Sequence, residues 1–227
     1  IEDIQKRRPK AQICLFSNAV DTNEFRPEKH CRRLREEYAG PDDLLVTYVG
    51  LHGLAQGLQQ VLDAAEELGS EAGVRFLLVG DGPEKAPLMA RAASKGLNHV
   101  AFAPAVAAKD VPALLASSDV ILVPLRTALT GAVPSKLYEA MASGRAVILS
   151  ADGEARRIVT EAGCGLTAPP GDGKSLSEAI RSLQANPARR QEMGLRGRRA
   201  AETLYDREKV TERFIDQLEG LVRGSRS

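Results

Sequence analysis

Leu44-Leu45-Val46-Thr47-Tyr48-Val49-Gly50-Leu51-His52-Gly53-Leu54-Ala55-Gln56-Gly57 is an apolar run of strand length that breaks into a glycine-rich turn. Leu54, Leu58, Val61, Leu62, Ala65 and Leu68 then recur at helical spacing, and Val74 to Val79 is a second apolar run. A strand, a helix that buries one stripe and another strand make a βαβ unit, with two parallel strands under the crossover helix. Outward from it the alternation continues. Strands are expected at His99 to Phe102, Val120 to Val123, Ala146 to Leu149 and Gly165 to Ala168. Helices are expected at Glu84 to Lys95, Val111 to Ala116, Ser135 to Ala142, Glu154 to Glu161 and Leu176 to Leu183. Pro187 opens another helix in its first turn, where a missing N–H costs nothing. A last segment, Arg207 to Leu221, carries Val210, Phe214, Leu218 and Leu221 on one side. The expected fold class is α/β, a Rossmann-like doubly wound parallel sheet covered by helices on both faces. Ligands bind such sheets beyond the carboxyl ends of the strands, near the point where strand order reverses.

With 227 residues and 43% hydrophobic content the chain can bury a sizeable core. Lys plus Arg at 31 against Asp plus Glu at 30 leaves a formal charge of +1, so no global basic field points to nucleic acid as a partner. Cys14, Cys31 and Cys164 are odd in number and form no CxxC pair, which reads as reduced structural thiols. No apolar run approaches the roughly 20 residues that span a bilayer, and no signal segment opens the chain. These features predict a cytoplasmic chain without a transmembrane segment. The chain begins with Ile, and Ile1 to Pro9 resembles the tail of a preceding helix, which predicts truncation. Residues 1–10 are expected to be a linker or helix remnant, 11–205 the α/β domain, and 206–227 a terminal helix and tail.

Three loops could carry chemistry. The turn Gly50 to Gly57 could bring backbone N–H groups to a phosphate at the positive end of a helix. Its spacing is neither GxGxxG nor a Walker P-loop, so a purely structural turn fits it equally well. His52 alone reads as a packed or solvated loop residue. Gly80-Asp81-Gly82-Pro83-Glu84 reads first as a tight reversal, with Pro83 opening a helix. The third stretch runs from Val123 through Arg126, Gly131, Ala132 and Pro134-Ser135-Lys136-Leu137-Tyr138-Glu139 to Gly144. Pro134 and Ser135 suit a helix start whose free N–H groups point at the cleft. Lys136 there opposes the helix dipole, so an anionic ligand accounts for it, and a surface lysine is the alternative. Glu139, one turn on, could accept two ribose hydroxyls or pair with Lys136 or Arg145.

Ser135-Lys136-Leu137-Tyr138-Glu139-Ala140-Met141-Ala142-Ser143-Gly144-Arg145-Ala146-Val147-Ile148, together with Val79 to Pro83 and Ser17-Asn18-Ala19-Val20-Asp21-Thr22-Asn23-Glu24-Phe25, resembles the carboxyl-terminal half of glycosyltransferase family 4. The resemblance covers about Leu15 to Phe214 and implies one lobe of the two-lobed GT-B architecture. It implies a retaining transferase that takes a nucleotide-sugar donor and needs no further cofactor. Glu139 would then bind the ribose, and Ser135, Lys136 and Leu137 would meet the diphosphate. Pro104, Ala105 and Val106 would frame the base, with Gly50 and Gly53 approaching the phosphates from the other side.

The sequence departs from the family pattern at three places. Gly131, beside Ala132, stands where the family carries a sugar-contacting glutamate, and His52 and Gln56 stand near its basic pair. Lys136 and Arg126 could supply the missing positive charge, so Lys136, Arg126 and His52 are the catalytic candidates. Pro134-Ser135-Lys136 resembles a branch associated with bacterial surface polysaccharides, which implies a UDP-sugar donor. The acceptor would be a saccharide or lipid-linked saccharide bound mostly by the other lobe, with the parent enzyme peripheral at the inner face of the cell membrane. No DxD pair occupies a plausible loop, so no metal is expected. The terminal helix crosses to the other lobe in this family, which implies an apolar face that is exposed here or pairs with a second copy. An NAD-binding Rossmann domain and a non-catalytic interaction domain are the competing readings. The first lacks GxGxxG, and the second draws support from Gly131.

Overall fold

Six strands hydrogen-bond side by side into one parallel sheet: β1 Leu44–Val49, β2 Val74–Val79, β3 Val100–Ala103, β4 Val120–Pro124, β5 Ala146–Ser150 and β6 Gly165–Ala168. The computed structural model describes residues 2–8, 13–14, 16–70, 73–126 and 133–224. The helices are α1 Glu2–Arg7, α2 Arg32–Tyr38, α3 Gln59–Leu68, α4 Lys85–Ser94, α5 Val111–Ala116, α6 Ser135–Ala142, α7 Glu154–Ala162, α8 Gly173–Ala185, α9 Pro187–Ala200 and α10 Arg207–Gly224. The strand order is β3-β2-β1-β4-β5-β6. It reverses between β1 and β4, so the loops leaving those two strands flank the crevice where a doubly wound sheet binds ligands.

Alternation along each strand divides the core between two faces. Val46, Tyr48, Phe76, Leu78, Leu122 and Ile148 pack under Val61 and Leu62 of α3, Leu88 of α4, and Leu176, Ile180 and Leu183 of α8. On the other face Leu45, Leu77 and Val79 meet Leu114 of α5, while Ile121, Val123, Val147 and Leu149 meet Leu137 and Met141 of α6 and Ile158 of α7. Each such side chain, enclosed almost completely, contributes about 1.5–3 kcal/mol relative to exposure. Both sheet faces being covered explains why the strands read as continuous apolar runs. Among the described residues no helix is long and apolar enough to cross a membrane.

Residues 18–25 are fastened to the end of the chain. Val20 forms a parallel bridge with Asp206, and the Thr22 hydroxyl donates to Asp206 Oδ2 at 2.5 Å. Arg198 Nη1 donates to the carbonyls of Thr22, Phe25 and Ala142. A π-helical turn at Ala201–Tyr205 then redirects the chain into α10. Beyond Val210, α10 keeps Ile215 and Leu218 exposed, and Phe214 meets the half-exposed Phe16 with ring centroids 4.7 Å apart.

Three elements differ from the sequence expectation. The helix expected from Leu54 is broken: Leu54–Gln56 is a 3-10 turn, Gly57 is left-handed at φ 59°, and α3 starts at Gln59. Arg126 pulls the loop toward β4 by donating its N–H to Ala55 O at 2.9 Å. Pro83 does not open α4, which starts two residues later, because Pro83 and Glu84 lie in a turn closed by Lys85 N–H to Gly82 O at 3.1 Å, and the first helical bond runs from Leu88 N–H to Glu84 O. Helix α2 was not anticipated. Arg35 secures it through the carbonyls of Gly40 and Asp43 and an ion pair with Asp119 at 3.0 Å.

Candidate functional site

The loops after β1 and β2 interlock before any ligand is considered. Gly50 N–H donates to Val79 O, His52 N–H to Asp81 O, and Glu84 N–H to His52 O. This brings backbone against backbone, so a Cβ on Gly80 would overlap the Gly50 carbonyl and one on Gly82 would overlap the backbone of His52. The His52 side chain is 0% exposed and lies between Tyr48 and Phe102, at centroid distances of 5.9 and 6.3 Å. Among the described residues neither ring nitrogen has a partner at full hydrogen-bond geometry, the Val79 backbone being near enough only to act weakly on the ring. Burial, reinforced by the Lys85 charge, holds its pKa below the ordinary value, so the ring is neutral packing within the loop. His52 therefore does not reach the surface of the cleft. Gln56 also turns inward, with its Oε1 buried and unpartnered against Gly53.

Across the switch point stands the start of α6. Pro134 occupies the cap position with extended backbone, and among the described residues no side chain caps the helix. This leaves the N–H groups of Ser135 and Lys136 available. The Leu137 N–H, expected to meet the diphosphate, is instead committed to Pro134 O at 3.0 Å by the tight first turn. Lys136 folds from this turn over Gly50, where an added Cβ would overlap its Cε and Nζ, and its ammonium lies 5.6 Å from the centre of the Tyr48 ring. The Tyr48 hydroxyl donates to Leu51 O at 2.7 Å and fixes that ring. Burial pushes the Lys136 pKa down, and Glu139 acts against the shift. Burial likewise pushes Glu139 up, against Lys136 and together with Glu24. The two side chains are within electrostatic range but form no ion pair of hydrogen-bond length, and the half-buried ammonium has no acceptor among the described residues. Asn18 Nδ2 donates to Val133 O at 3.1 Å and ties the amino-terminal segment to the lead-in of α6. Gly50, Lys136, Ser135, Leu137 and Glu139 therefore converge, with Tyr48 and Glu24 joining them from outside the motif.

Arg126 and Gly53 belong to a neighbouring hollow. A cleft of about 390 Å³ is lined by Gly53, Gly57, Gln60, Asp63, Glu84 and Arg126 among others. It lies on the α3 side of the loop, and neither Lys136 nor Glu139 lines it. Gln60 in its floor escaped the sequence reading, since a glutamine inside a helix carries no local signal. Its buried amide donates to the carbonyls of Gly57 and Leu125 and accepts from the Ser150 hydroxyl and Gly171 N–H. One side chain thus fastens the carboxyl ends of β4, β5 and β6 to the loop after β1. Gln60→Leu keeps the volume but strands these partners, and it should lower stability by about 2 kcal/mol. An unchanged midpoint in urea unfolding would refute that role.

Pro104, Ala105 and Val106 are exposed beyond the end of β3, two strands from β1. Gly131 and Ala132 lie outside the described residues. Among the described residues no three His, Cys, Asp or Glu side chains gather as metal ligands would.

The family profile described as glycosyl transferases group 1 matches residues 32–200. The chain is 30% identical over 224 residues to the putative colanic acid biosynthesis glycosyl transferase WcaI of Escherichia coli, covering 96% of this chain and 54% of that protein. It is 30% identical over 197 residues to a GDP-mannose-dependent alpha-(1-6)-phosphatidylinositol monomannoside mannosyltransferase of Mycolicibacterium smegmatis, covering 84% of this chain and 52% of that protein. The chain thus spans about half the length of the curated relatives it matches. Anabaena HepE, solved in complex with UDP, superposes with a TM-score of 0.81 over 91% of this chain and 57% of its own, at 20% identity that speaks for the fold alone. With its profile spanning most of the residues and its sheet in the Rossmann order, the chain belongs to the glycosyl transferases group 1 family.

Proposed function

We propose that this chain is the donor-binding, carboxyl-terminal lobe of a retaining GT-B glycosyltransferase of family 4, and that its donor is a UDP-sugar. The observation that carries the reading is the start of α6, with no side-chain cap and no partner for the Lys136 ammonium among the described residues, above Gly50 and with Glu139 one turn behind it. The N–H groups of Ser135 and Lys136 and the ammonium receive the diphosphate, Leu137 shapes the turn that presents them, Glu139 accepts the ribose hydroxyls, and 104–106 border the base. As the bond between the anomeric carbon and the diphosphate oxygen breaks, the negative charge that grows on the leaving group meets this preorganised positive potential. The acceptor hydroxyl attacks from the same face, held by a lobe outside this chain. The exposed stripe of α10 is the seat for that lobe. His52 serves by packing the loop, and Arg126 supplies charge at its rim. The parent enzyme builds a surface polysaccharide or glycolipid at the inner face of the membrane.

Isothermal titration of the chain with UDP, GDP and NAD tests the reading. UDP binding with no NAD binding supports it, and the absence of all nucleotide binding counts against it. GDP is the competing base, because the mycobacterial relative is described as GDP-mannose-dependent.

Affinity should also depend on pH in both directions. Lys136 has a lowered pKa in the free protein, and a bound diphosphate favours its ammonium. Affinity is then complete below that pKa and falls as pH rises through it, earlier than an ordinary lysine would allow. Glu139 has a raised pKa and binds ribose best as the carboxylate, so affinity falls on the acid side as pH drops through it, above the ordinary carboxylate range. Titrations across this span should give a bell, and Lys136→Arg should remove its alkaline limb. A flat profile in the parent chain would exclude both assignments.

A further inference from the structure

At the amino-terminal ends of the strands, opposite the donor crevice, a second cavity of about 280 Å³ is lined by Asp119, Gly144, Arg145, Ala146, Pro187, Arg190 and Gln191. The turn from α6 into β5 puts Arg145 in its wall. Arg145 Nε is shut off from water and has no hydrogen-bond partner, and its guanidinium makes no hydrogen bond or ion pair among the described residues. Asp119 is spoken for: its Oδ2 accepts from Arg35 at 3.0 Å and from Leu45 N–H at 2.8 Å. Arg190 from the first turns of α9 donates only to Leu183 O, at 2.7 Å, and has no carboxylate in range among the described residues. Burial and the like charge of Arg35 lower the Arg145 pKa against the pull of Asp119. Burial, Arg145 and Arg35 also lower that of the adjacent His30. Two guanidinium groups line the cavity, and its one carboxylate, Asp119, is already paired with Arg35 from outside the lining, so two positive charges are left without a counter-charge among the described residues. Arg145 is half-buried, and its enclosed Nε without a partner costs free energy that a fitting anion lowers.

The geometry points to a second anion site here, one that receives a phosphate monoester between Arg145 and Arg190 with Gln191 beside them. Planar guanidinium forks match phosphate oxygens, and a monoester near neutral pH carries close to two negative charges, which offsets the excess. The cavity suits a small molecule, since it falls just below the usual range of roughly 300–1,000 Å³ for ligand pockets. The site is independent of the donor reading: its residues lie at the amino-terminal end of the sheet, opposite the crevice, and none of them is among the residues that converge there.

The test is an NMR titration of the isotopically labelled chain with inorganic phosphate and glucose 1-phosphate, with sodium chloride at matched ionic strength as the control. It is run on Lys136→Ala so that the α6 end does not compete. Saturable shifts are expected at the amides of Gly144, Arg145, Ala146 and Gln191, together with a phosphate-dependent rise in melting temperature. Arg145→Gln and Arg190→Gln should each weaken binding by about tenfold, as the loss of one charge-assisted contact predicts. If Arg145→Gln does not fold, Arg190→Gln carries the test by itself. Vesicles with phosphatidic acid present the same monoester from a surface. Capture by vesicles without binding of glucose 1-phosphate keeps the phosphate chemistry and assigns its source to lipid. Absence of saturable shifts at these amides with every probe, or undiminished affinity in the variants, overturns the proposal.

Discussion

Gly80→Ala is expected to destabilise the folded domain by about 3–5 kcal/mol, combining backbone strain with overpacking. The φ of Gly80 is +146°, and an added Cβ would overlap the Gly50 carbonyl, with His52 Cδ2 at 3.2 Å behind it. Neither neighbour can yield. Gly50 is held by its N–H to Val79 O at 2.9 Å, and Gly80 itself by its N–H to Ala103 O at 3.2 Å. Gly69→Ala is the control, because Gly69 also has positive φ, +75°, but nothing stands within 4 Å of the added atom. Strain alone then applies, and its cost should be about 1–2 kcal/mol. Denaturant unfolding of the two variants checks the difference. Equal losses would mean that the interlock of the β1 and β2 loops is softer than the backbone contacts require. With a typical stability of about 5–15 kcal/mol, Gly80→Ala removes a large share of what holds the site together.

The second large effect is on nucleotide binding. Lys136→Met and Glu139→Ala should each cost about 1–3 kcal/mol of UDP affinity, roughly a fivefold to 150-fold loss, as charged hydrogen bonds to a ligand predict. Stability separates this from structural damage. Because burial lowers the Lys136 pKa, the folded state disfavours the ammonium at every pH below that value, so Lys136→Met should unfold no more easily than the parent chain at neutral pH. A variant that binds UDP normally, or one that loses binding only by unfolding, would dismiss Lys136 as a ligand group. If the parent chain binds no nucleotide, titration of the full-length protein shows whether the other lobe completes the site.

The order of the fold was legible in the sequence because each βαβ unit advertises itself locally. The runs at 44–49, 74–79, 120–124 and 146–150 are covered on both faces, so they are apolar but for Thr47, Arg75 and Ser150, each of which has a polar partner. Strand edges moved by a residue or two, as for β3, which begins at Val100 after the Leu97–Val100 turn although the His99 carbonyl already accepts from Phe76 N–H at 2.9 Å. The start of α6 was readable for the same local reason: Pro134 and Ser135 fix a helix terminus, and a lysine there is electrostatically out of place.

What the sequence determined by itself, then, is the succession of elements, the two-sided burial of the sheet and the position of Lys136 and Glu139 on one helix turn. Those properties depend on period, capping and charge within a few residues. Only tertiary structure decided that His52 turns inward between Tyr48 and Phe102, that Gln60 ties three strand ends to one loop, and that Arg145 shares a cavity with Arg190 and has no partner among the described residues. A side chain's partner is set by which strand ends the sheet order brings together. Contacts between residues 90 or 111 positions apart, such as Gln60 with Ser150 and Gly171, leave no trace in local spacing.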